Sequence, residues 1–507
     1  MKIFSVPQIT EADKFTIENE PISSISLMER ASEAVFERIL KEFNIDTEFY
    51  IFCGSGNNGG DGLIISRLMS LVGFKATTWY IKSNIKPSAD NLFQLKNLEK
   101  CKKSNIKTIT KSSEIDITEH SNLVIIDAIF GSGLNRKIDG ELADIITKIN
   151  SINCYKIAID ISSGLFADKP FEYNDIIFKA NKTYTFEFPK LSFLFAESAI
   201  YCGQWEVLPI GIHQKYIQTT STKNYYTTIT EIAPLLKKRA TFSHKGSYGS
   251  ALLIAGKYGM MGAAVLASKS CIKSGVGLLN THIPKCGYSI LQTSIPEVIA
   301  NIDESETHFS SIDWKFLQKF DAIAIGCGIG TDNETATGLK NVIQNCSCPL
   351  LIDADAINIL SENKTWLSFL PKNSILTPHP KEFERIAGKA SNSFEQLQLL
   401  REFCLKYSVY VVLKGAYTAI CCPEGEIYFN STGNTGMATA GSGDVLSGII
   451  LSLLAQGYSV KEAAQLSVYI HGLSADIAVE NNQSFESLTA SDIIDNLGLA
   501  FKAVSFL

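Results

Sequence analysis

The sequence predicts an α/β protein in which parallel strands alternate with covering helices. Short apolar runs repeatedly end in Gly, Asp or Asn and are followed by helix-like patterns, as expected of parallel sheets. A length of 507 residues suffices for two large domains or three smaller ones. Hydrophobic residues make up 45% and charged residues 19%, which excludes the disordered and collagenous classes.

The predicted strands form two series. The first series comprises residues 49–53, 76–81, 123–126, 156–159 and 183–186, and the second comprises 251–255, 322–325, 349–352, 375–377 and 409–413. A helix at 22–40 precedes the first series, and a helical region beginning at Asp444 closes the second. Residues 216–230 are rich in Thr, Ser and Tyr and lack periodicity, which predicts a boundary near 222 and domains at 1–222 and 223–507.

The composition limits the partners and the cellular compartment. Lys and Arg total 46 against 52 Asp and Glu, so the net charge of −6 gives no electrostatic footprint for nucleic acid or an anionic membrane. The amino terminus has no signal-like apolar region, and no run approaches a membrane span. Twelve scattered cysteines without CxxC spacing are typical of reduced, buried thiols. We therefore expect a cytoplasmic protein that binds any anion locally.

A glycine-rich loop, CGSGNNGGDG at 53–62, follows the first strand of the first series and opens a helix. Its backbone N–H groups can form an anion nest at a helix N-terminus, and five glycines in nine positions exceed what a tight turn with positive φ needs. The spacing at 54–59 matches the dinucleotide fingerprint, yet no Asp or Glu follows about 20 residues later to bind a ribose. No Lys-Ser/Thr pair closes the loop as in a Walker A site. The loop therefore predicts a phosphate site outside these two classes.

Two further strand ends of the first half carry aspartates. Asp127 precedes a Gly-Ser-Gly loop, and Asp160 precedes Ser162, Ser163 and Gly164. In a parallel sheet both carboxylates emerge at the same edge as the glycine-rich loop, where open α/β sheets bind ligands. One such Asp often caps a helix, but two beside a phosphate nest favour a ligand site.

These motifs identify a resemblance. The segments SLMERA at 26–31, GNNGGDG at 56–62, DAIFG at 127–131 and DISSG at 160–164 resemble the YjeF N-terminal domain, a Rossmann-like NAD(P)HX epimerase. The resemblance implies a potassium ion held by Asn58, Asp127 and Ser163. It implies a hydrated nicotinamide nucleotide lined by Asn57, Asn58, Gly59, Gly60, Asp61, Gly131, Ser132, Gly133, Leu134, Asn135, Arg136, Lys137 and Asp160. We take Asp160 as the hypothetical proton shuttle. Ser162 stands where the family has proline, which predicts a looser loop.

The second half contains a second glycine-rich loop, GNTGMATAGSGD at 433–444, directly before an apolar helical pattern. Its backbone donors and the Asp444 carboxylate are adjacent in sequence. An anion hole beside a carboxylate base is what moves a phosphoryl group onto a hydroxyl. The alternative is an aspartate that only stabilises a helix dipole.

Three other motifs accompany this loop: HKGSYG at 244–249, TPHPKEF at 377–383 and LKGAYT at 413–418. Lys414 ends a buried strand and can reach a phosphate, although a solvated lysine is nearly as common there. His379 lies between two prolines, which places it rigidly, although a lone histidine is usually structural. Convergence of the motifs on one sheet edge would favour function for both residues.

Together these motifs resemble the YjeF C-terminal domain of the ribokinase-like superfamily, an NAD(P)HX dehydratase, over residues 232–497. The resemblance assigns Ala263, Gly330, His379 and Asp444 to the hydrated nucleotide, with Asp444 catalytic. It assigns the adenine nucleotide to Lys414, Gly415, Ala416, Tyr417, Thr418 and Gly443. It also implies ADP or ATP as co-substrate and Mg²⁺ as a cofactor.

The combined expectation is a bifunctional enzyme that repairs NADHX and NADPHX. The first domain would interconvert the R and S epimers, and the second would dehydrate the S epimer to NAD(P)H at the expense of ADP or ATP. We expect a homo-oligomer that binds neither nucleic acid nor membrane. The alternatives are a ribokinase-like kinase of a small alcohol in the second half and a non-catalytic nucleotide-binding or partner-binding module in the first.

Overall fold

The computed structural model describes residues 1–505 and divides into two compact units, Lys2–Thr222 and Lys223–Leu507, the latter also including Met1. Both units are α/β, so the predicted fold class is confirmed. Residues 216–230 are not a featureless linker, because they contain parts of a short helix, a strand and another short helix. Within the described residues, no helix combines the length and apolar character needed to cross a membrane.

The first unit is a parallel sheet covered by helices. The short strand β1 (Lys2–Ile3) lies outside this sheet. The strands of the sheet are β2 (Glu48–Cys53), β3 (Lys75–Ile81), β4 (Asn105–Ile109), β5 (Leu123–Ala128), β6 (Tyr155–Ile159), β7 (Lys182–Phe186) and β8 (Gln204–Leu208). Its helices are α1 (Val6–Asn19), α2 (Ser24–Glu42), α3 (Asn57–Val72), α4 (Ala89–Glu99), α5 (Gly140–Ser151), α6 (Ala199–Cys202) and α7 (Gln214–Thr219). The sheet order is β4-β3-β2-β5-β6-β7-β8, with every adjacent pair parallel.

The sequence predicted the central strands of this sheet and missed its edges. The residues of β4 and β8 are mostly exposed or half-buried, and neither strand contains a continuous apolar run. Central parallel strands are buried on both faces and therefore show as apolar runs, whereas edge strands do not. The order β2-β5-β6 places Gly54, Asp127 and Asp160 at the carboxyl ends of three neighbouring strands.

The second unit is a larger, mostly parallel sheet. Its strands are β9 (Asn224–Thr227), β10 (Ser250–Ile254), β11 (Leu278–Ile283), β12 (Ile299–Ile302), β13 (Ala322–Ile325), β14 (Leu350–Ile352), β15 (Ile375–Leu376), β16 (Tyr410–Leu413), β17 (Ala419–Cys421) and β18 (Ile427–Asn430). The order within this unit is β9-β18-β17-β16-β15-β14-β13-β10-β11-β12, with β17 antiparallel to both of its neighbours. The sequence analysis missed β9, β11, β12, β17 and β18. Of these, β9 and β12 are mostly half-buried or exposed and therefore lack a continuous apolar run.

Helices cover this second sheet and include the predicted closing helical region. They are α8 (Ile229–Ile232), α9 (Met261–Lys273), α10 (Tyr288–Ser294), α11 (Trp314–Leu317), α12 (Asn333–Asn345), α13 (Ala354–Glu362), α14 (Pro380–Ala387), α15 (Ser393–Tyr407), α16 (Ser442–Ala455), α17 (Val460–Asn481) and α18 (Ala490–Ser505). The apolar core joins α9, α16 and α17 to the sheet. Asp353 and Lys414 directly follow β14 and β16, so the sheet brings their side chains to one edge.

Candidate active sites

The glycines of the first loop allow backbone segments to touch. A Cβ on Gly54 would lie 2.1 Å from the carbonyl oxygen of Ile129, and one on Gly59 would lie 1.9 Å from that of Gly54. Neither glycine has a positive φ, so close packing and not a left-handed turn requires them. Asn91 of α4, which the sequence did not single out, donates from Nδ2 to the carbonyls of Gly54 (3.0 Å) and Gly56 (2.9 Å). The loop is therefore held from two sides.

The three predicted potassium ligands lie in or beside this loop. Asp127 and Ser163 are fully buried and joined directly, since Ser163 Oγ donates to Asp127 Oδ1 at 2.7 Å and Ser163 N donates to Asp127 Oδ2 at 2.8 Å. Asn58 is 8% exposed, and neither atom of its side-chain amide has a hydrogen-bond partner among residues 1–505. Burial raises the pKa of Asp127 to about 6, against the effect of these hydrogen bonds. An unpartnered buried amide beside oxygen-rich groups fits the ligand set of a hard cation.

Asp160 is held by a lysine that the sequence analysis missed. Lys190 is 1% exposed, and its Nζ lies 2.8 Å from Asp160 Oδ1. Ser132 N donates to Asp160 Oδ2 at 3.1 Å. Burial by itself would raise the pKa of Asp160, but Lys190 and Ser132 outweigh it and hold the pKa below its usual value. Asp160 also adopts a left-handed φ of 64°, which is uncommon for a residue other than glycine.

A cavity of about 560 Å³ opens at these strand ends. The predicted residues that line it are Asn57, Asn58, Asp61, Gly131, Ser132, Gly133, Leu134, Asn135, Arg136 and Asp160. Gly59 and Gly60 are instead packed against Gly54 and Met28, and Lys137 forms ion pairs with Glu172 and Asp175. Ser162 is buried, and its Oγ donates to the carbonyl of Tyr201 at 2.7 Å. A hydrogen bond thus ties the loop that the missing proline was expected to loosen.

The second site is centred on three groups from three elements. Lys414 Nζ lies 3.1 Å from Asp353 Oδ1, and Ser447 Oγ of α16 donates to Asp353 Oδ2 at 2.6 Å. A Cβ on Gly443 would lie 3.5 Å from Lys414 Nζ, so the ammonium borders the second glycine loop. Burial alone would lower the pKa of Lys414, but Asp353 and Glu382 raise it, and the lysine stays charged.

Asp444 lies in the first turn of α16, as the sequence predicts. Burial, followed by the charge of Asp353, raises the pKa of Asp444 to about 6, although the Cys327 thiol and Lys414 oppose the shift. Asp444 therefore accepts a proton near neutral pH, which suits a general base. The raised pKa favours a functional carboxylate over an aspartate that only stabilises a helix dipole.

A cavity of about 790 Å³ borders the second loop. The predicted residues that line it are His379, Lys414, Gly415, Ala416, Tyr417, Thr418 and Gly443. His379 also caps α14, because its Nδ1 accepts from the backbone of Lys381 at 3.1 Å. The convergence of His379 and Lys414 confirms that their two motifs meet at one place.

Ala263, Gly330 and Asp444 are not among the residues that line this cavity. Ala263 lies in the first turn of α9, and a Cβ on Gly328 would lie 3.1 Å from its side chain. Gly330 N donates to Asp355 Oδ2 at 2.8 Å, and Asp355 is one of the groups that raise the pKa of Asp444. The charge of Asp444 thus interacts with Lys414, which lines the cavity, and with Asp355, which binds the backbone of Gly330.

Several supporting residues have no motif and were missed. Asp353 is 2% exposed and holds Lys414, and Asp476 Oδ2 accepts from Gly433 N at 2.8 Å at the start of the second glycine loop. His471 Nε2 lies 3.3 Å from Ser442 Oγ, and burial lowers the pKa of His471 to about 4, so it is neutral. A carboxylate directly after a buried strand, as at Asp353, was the one available signal.

Comparison with known proteins agrees with this two-site arrangement. The profile of the YjeF-related protein N-terminus matches residues 24–192, and that of NAD(P)H-hydrate dehydratase matches residues 251–498. The bifunctional NAD(P)H-hydrate repair enzyme Nnr of Moorella thermoacetica is 32% identical over 98% of this chain and 96% of its own. Its counterpart in Coxiella burnetii is 33% identical over 97% of each chain. A ribokinase-like superfamily protein of Enterococcus faecalis is 28% identical, with a TM-score of 0.51 over 56% of this chain and 98% of its own.

Proposed function

Because the chain belongs to the family of bifunctional NAD(P)H-hydrate repair enzymes, we propose that its two cavities carry two successive steps of one repair. Residues 1–222 exchange the R and S epimers of NADHX or NADPHX. Residues 223–507 convert the S epimer to NAD(P)H and consume ADP or ATP. The observation that carries the proposal is a raised-pKa carboxylate, Asp444, beside a glycine loop and a charged lysine.

In the second unit, Asp444 accepts the proton of the C6 hydroxyl while that oxygen takes a phosphoryl group from the nucleotide. Lys414 and the backbone donors of the second glycine loop stabilise the charge on the phosphates. The ring nitrogen then expels phosphate from C6, loss of a proton from C5 follows, and the dihydronicotinamide ring is restored. Asp353 keeps Lys414 charged and fixes its direction.

Mg²⁺ fits the donor set of this second site. The carboxylates of Asp353, Asp355 and Asp444 lie close enough for their charges to interact. Mg²⁺ commonly binds one or two carboxylates together with substrate phosphates. We propose that Mg²⁺ would be held chiefly by the nucleotide phosphates and would neutralise their charge, which leaves the Asp444 carboxylate free to accept a proton.

In the first unit, the epimerisation needs the C6 hydroxyl to leave one face of the ring and water to add to the other. The C6 centre is a carbinolamine, so the ring nitrogen supplies the electrons that expel the oxygen. Asp160 is proposed to accept the proton of the incoming water, since it is ionised and lines the cavity. The helix N-terminus at Asn57 is proposed to bind the nucleotide phosphates.

Potassium is proposed to organise the loops of the first site. Asn58, Asp127 and Ser163 would hold it through an amide oxygen, one carboxylate and a hydroxyl or carbonyl, a hard oxygen set of low charge. The unpartnered Asn58 amide supports this assignment. The ion would supply a fixed positive charge that keeps the two glycine-containing loops together.

The test is incubation of the full chain with an R/S mixture of NADHX plus ADP, and separately plus ATP. Recovery of the NADH absorbance beyond the S fraction requires both activities, whereas recovery of only the S fraction indicates dehydration alone. No recovery with either nucleotide, together with phosphorylation of a small alcohol such as a sugar or hydroxymethylpyrimidine, would replace the repair proposal with a kinase. Chromatography that resolves the epimers measures exchange without nucleotide.

A further inference from the structure

The cavity of the first unit contains a carboxyl group to which no motif points. Asp13 lies on α1, which precedes residues 24–192, the segment matched by the N-terminal profile. Ile9, Thr10 and Asp13 share one face of α1, and all three line the cavity with Asp160. The helix is anchored there, because Ala12 and Thr16 are fully buried and Thr16 Oγ1 accepts from His213 N at 3.0 Å.

We propose that Asp13 is a catalytic residue of the epimerisation, the acid that protonates the departing C6 hydroxyl while Asp160 serves the opposite face of the ring. This assignment rests on the proposed function of the first unit. Asp13 is half-buried on the wall of the cavity, where its carboxyl group is within reach of a bound ligand and of solvent. Asp160 is fixed by Lys190 in its ionised form and is thus a proton acceptor.

The charges around Asp13 differ from those around Asp160. The charged or titratable groups that share the cavity wall with Asp13 are Asp61, Arg136, Asp160, Glu187 and Lys190. Burial, then the charge of Asp160, raises the pKa of Asp13 to about 7, and Lys190 opposes this. Lys190 is bonded to Asp160, and Glu187 accepts hydrogen bonds from the backbone of Ile210 and Gly211. Asp13 is therefore partly protonated at neutral pH, beside an ionised Asp160.

The step balances in atoms and electrons. The C6–O bond breaks as Asp13 gives its proton to the hydroxyl, which leaves as water, and the nitrogen lone pair forms the N1=C6 bond. Water then adds to the other face of C6, Asp160 takes one of its protons, and the electrons of the N1=C6 bond return to nitrogen. Nothing is oxidised or reduced, and one proton has passed from Asp13 to Asp160. The reverse direction or solvent exchange returns it.

Asp61 is the competing acid, since burial also raises its pKa well above the usual value. Its carboxyl accepts from Ser32 Oγ at 3.1 Å and is 8% exposed. A buried carboxyl held by α2 reaches ligand and solvent less readily than Asp13. The geometry favours Asp13, and the two assignments predict different variants to fail.

The experiment compares Asp13→Asn, Asp13→Glu, Asp61→Asn and the control Glu18→Gln in the full chain. Glu18 is an exposed residue of the same helix, so its substitution removes the same charge outside the cavity. Exchange of the NADHX epimers is followed by chromatography from pH 5 to 9 without nucleotide, and dehydration of pure S epimer with ADP is the check on the second unit. Binding of NADH to each variant, by calorimetry in the absence of ADP, checks the first cavity.

We expect Asp13→Asn to slow exchange about 10²–10⁴-fold, with Asp13→Glu recovering part of the loss and Glu18→Gln matching wild type. The wild-type kcat/KM should fall above about pH 7, because Asp13 and Asp160 then lose the single proton that they share. The fall should be the same for R-to-S and S-to-R exchange, since the equilibrium constant between the epimers does not depend on pH. That fall should be absent from the residual activity of Asp13→Asn.

Exchange by Asp13→Asn within threefold of wild type would overturn the assignment, as would an equal loss at every pH with weakened NADH binding. Loss of the alkaline fall in Asp61→Asn but not in Asp13→Asn would transfer the role to Asp61. A wild-type chain that binds NADH and does not exchange the epimers at any pH would reject the proposed epimerase function itself, and the role of Asp13 with it.

Discussion

Both sites contain an aspartate at a loop or helix end and a lysine, which is buried at Lys190 and half-buried at Lys414, but the lysines contact different groups. In the first site Lys190 contacts the motif aspartate itself, and the pKa of Asp160 falls. In the second site Lys414 contacts Asp353, and the neighbouring motif aspartate, Asp444, has its pKa raised to about 6. Burial raises the pKa of both carboxyl groups, but direct contact with Lys190 outweighs it at Asp160, whereas burial and the charge of Asp353 outweigh Lys414 at Asp444.

The difference follows from what each reaction needs. A base that removes a hydroxyl proton works best with a pKa near the working pH. Asp444 meets that condition because burial, and then the charge of Asp353, raises its pKa. An exchange between two faces of a ring needs one group that is protonated and one that is not. The first site provides this with Asp13 and Asp160, whose pKa values are shifted in opposite directions.

The largest expected effect is at Asp444. Asp444→Asn should lower ADP-dependent recovery of NADH about 10³-fold, because it removes the base while keeping the shape. Epimer exchange should be unchanged, and the exposed Asp495→Asn in the same unit serves as the charge-matched control. Recovery within tenfold of wild type would mean that Asp444 is not the base.

The next largest effect is expected at the proposed potassium site of the first unit. Asp127→Asn removes the one charge among the proposed potassium ligands, so epimer exchange should fall about 10–100-fold while dehydration of pure S epimer is unchanged. High potassium should restore exchange, since ion binding follows mass action. The exposed Asp116→Asn controls for loss of charge in the same unit. Wild-type exchange that is indifferent to replacing potassium by a large organic cation would leave Asp127 as a loop-capping residue.

A pH profile tests the lysine pairing in the second site. Wild-type dehydration should fall below about pH 6, because Asp444 with a raised pKa becomes protonated there and cannot accept a proton. Asp353→Asn should move this acid limb to lower pH, since the charge of Asp353 contributes to the upward shift and Lys414 is freed to act on Asp444. The rate at pH 8 should also fall, because Lys414 loses its anchor. An acid limb that stays in place would show that burial alone sets the pKa.

The smallest effect concerns stability in the first unit. The pKa of Asp13 is raised from 3.8 to about 7 in the folded chain, so ionisation of this carboxyl group destabilises the fold. The destabilisation is absent below about pH 4, grows between pH 4 and pH 7, and is complete above pH 7. Asp13→Asn should therefore raise the midpoint of thermal unfolding above pH 7 by on the order of 2–4 °C, the shift given by about 1 kcal/mol. The difference should vanish near pH 4 and be absent in Glu18→Gln. A lower midpoint at pH 8 would show that Asp13 stabilises the fold.

The fold and the motif residues were accessible from the sequence for physical reasons. Buried parallel strands are apolar runs, and residues such as Asp160 and Asp444 stand directly at their ends or in glycine-rich loops. Lys190 and Asp13 were not accessible, because each acts through a contact that depends on tertiary packing. Asp353 directly follows a predicted strand, a signal that the sequence analysis did not use. Asp13 occupies an ordinary amphipathic helix, and only the folded chain shows that this face of the helix borders the cavity.

The backbone contacts of the first glycine loop set limits on redesign. A methyl group at Gly54 or Gly59 would have to displace a main chain, not a side chain, so these positions cannot be varied one at a time. By contrast, a Cβ on Gly56 or Gly133 would meet no atom within 4 Å, and neither glycine has a positive φ. A library meant to change the substrate of the first site should therefore diversify Gly56, Gly133 and the adjoining cavity residues. The library should keep Gly54 and Gly59 unchanged.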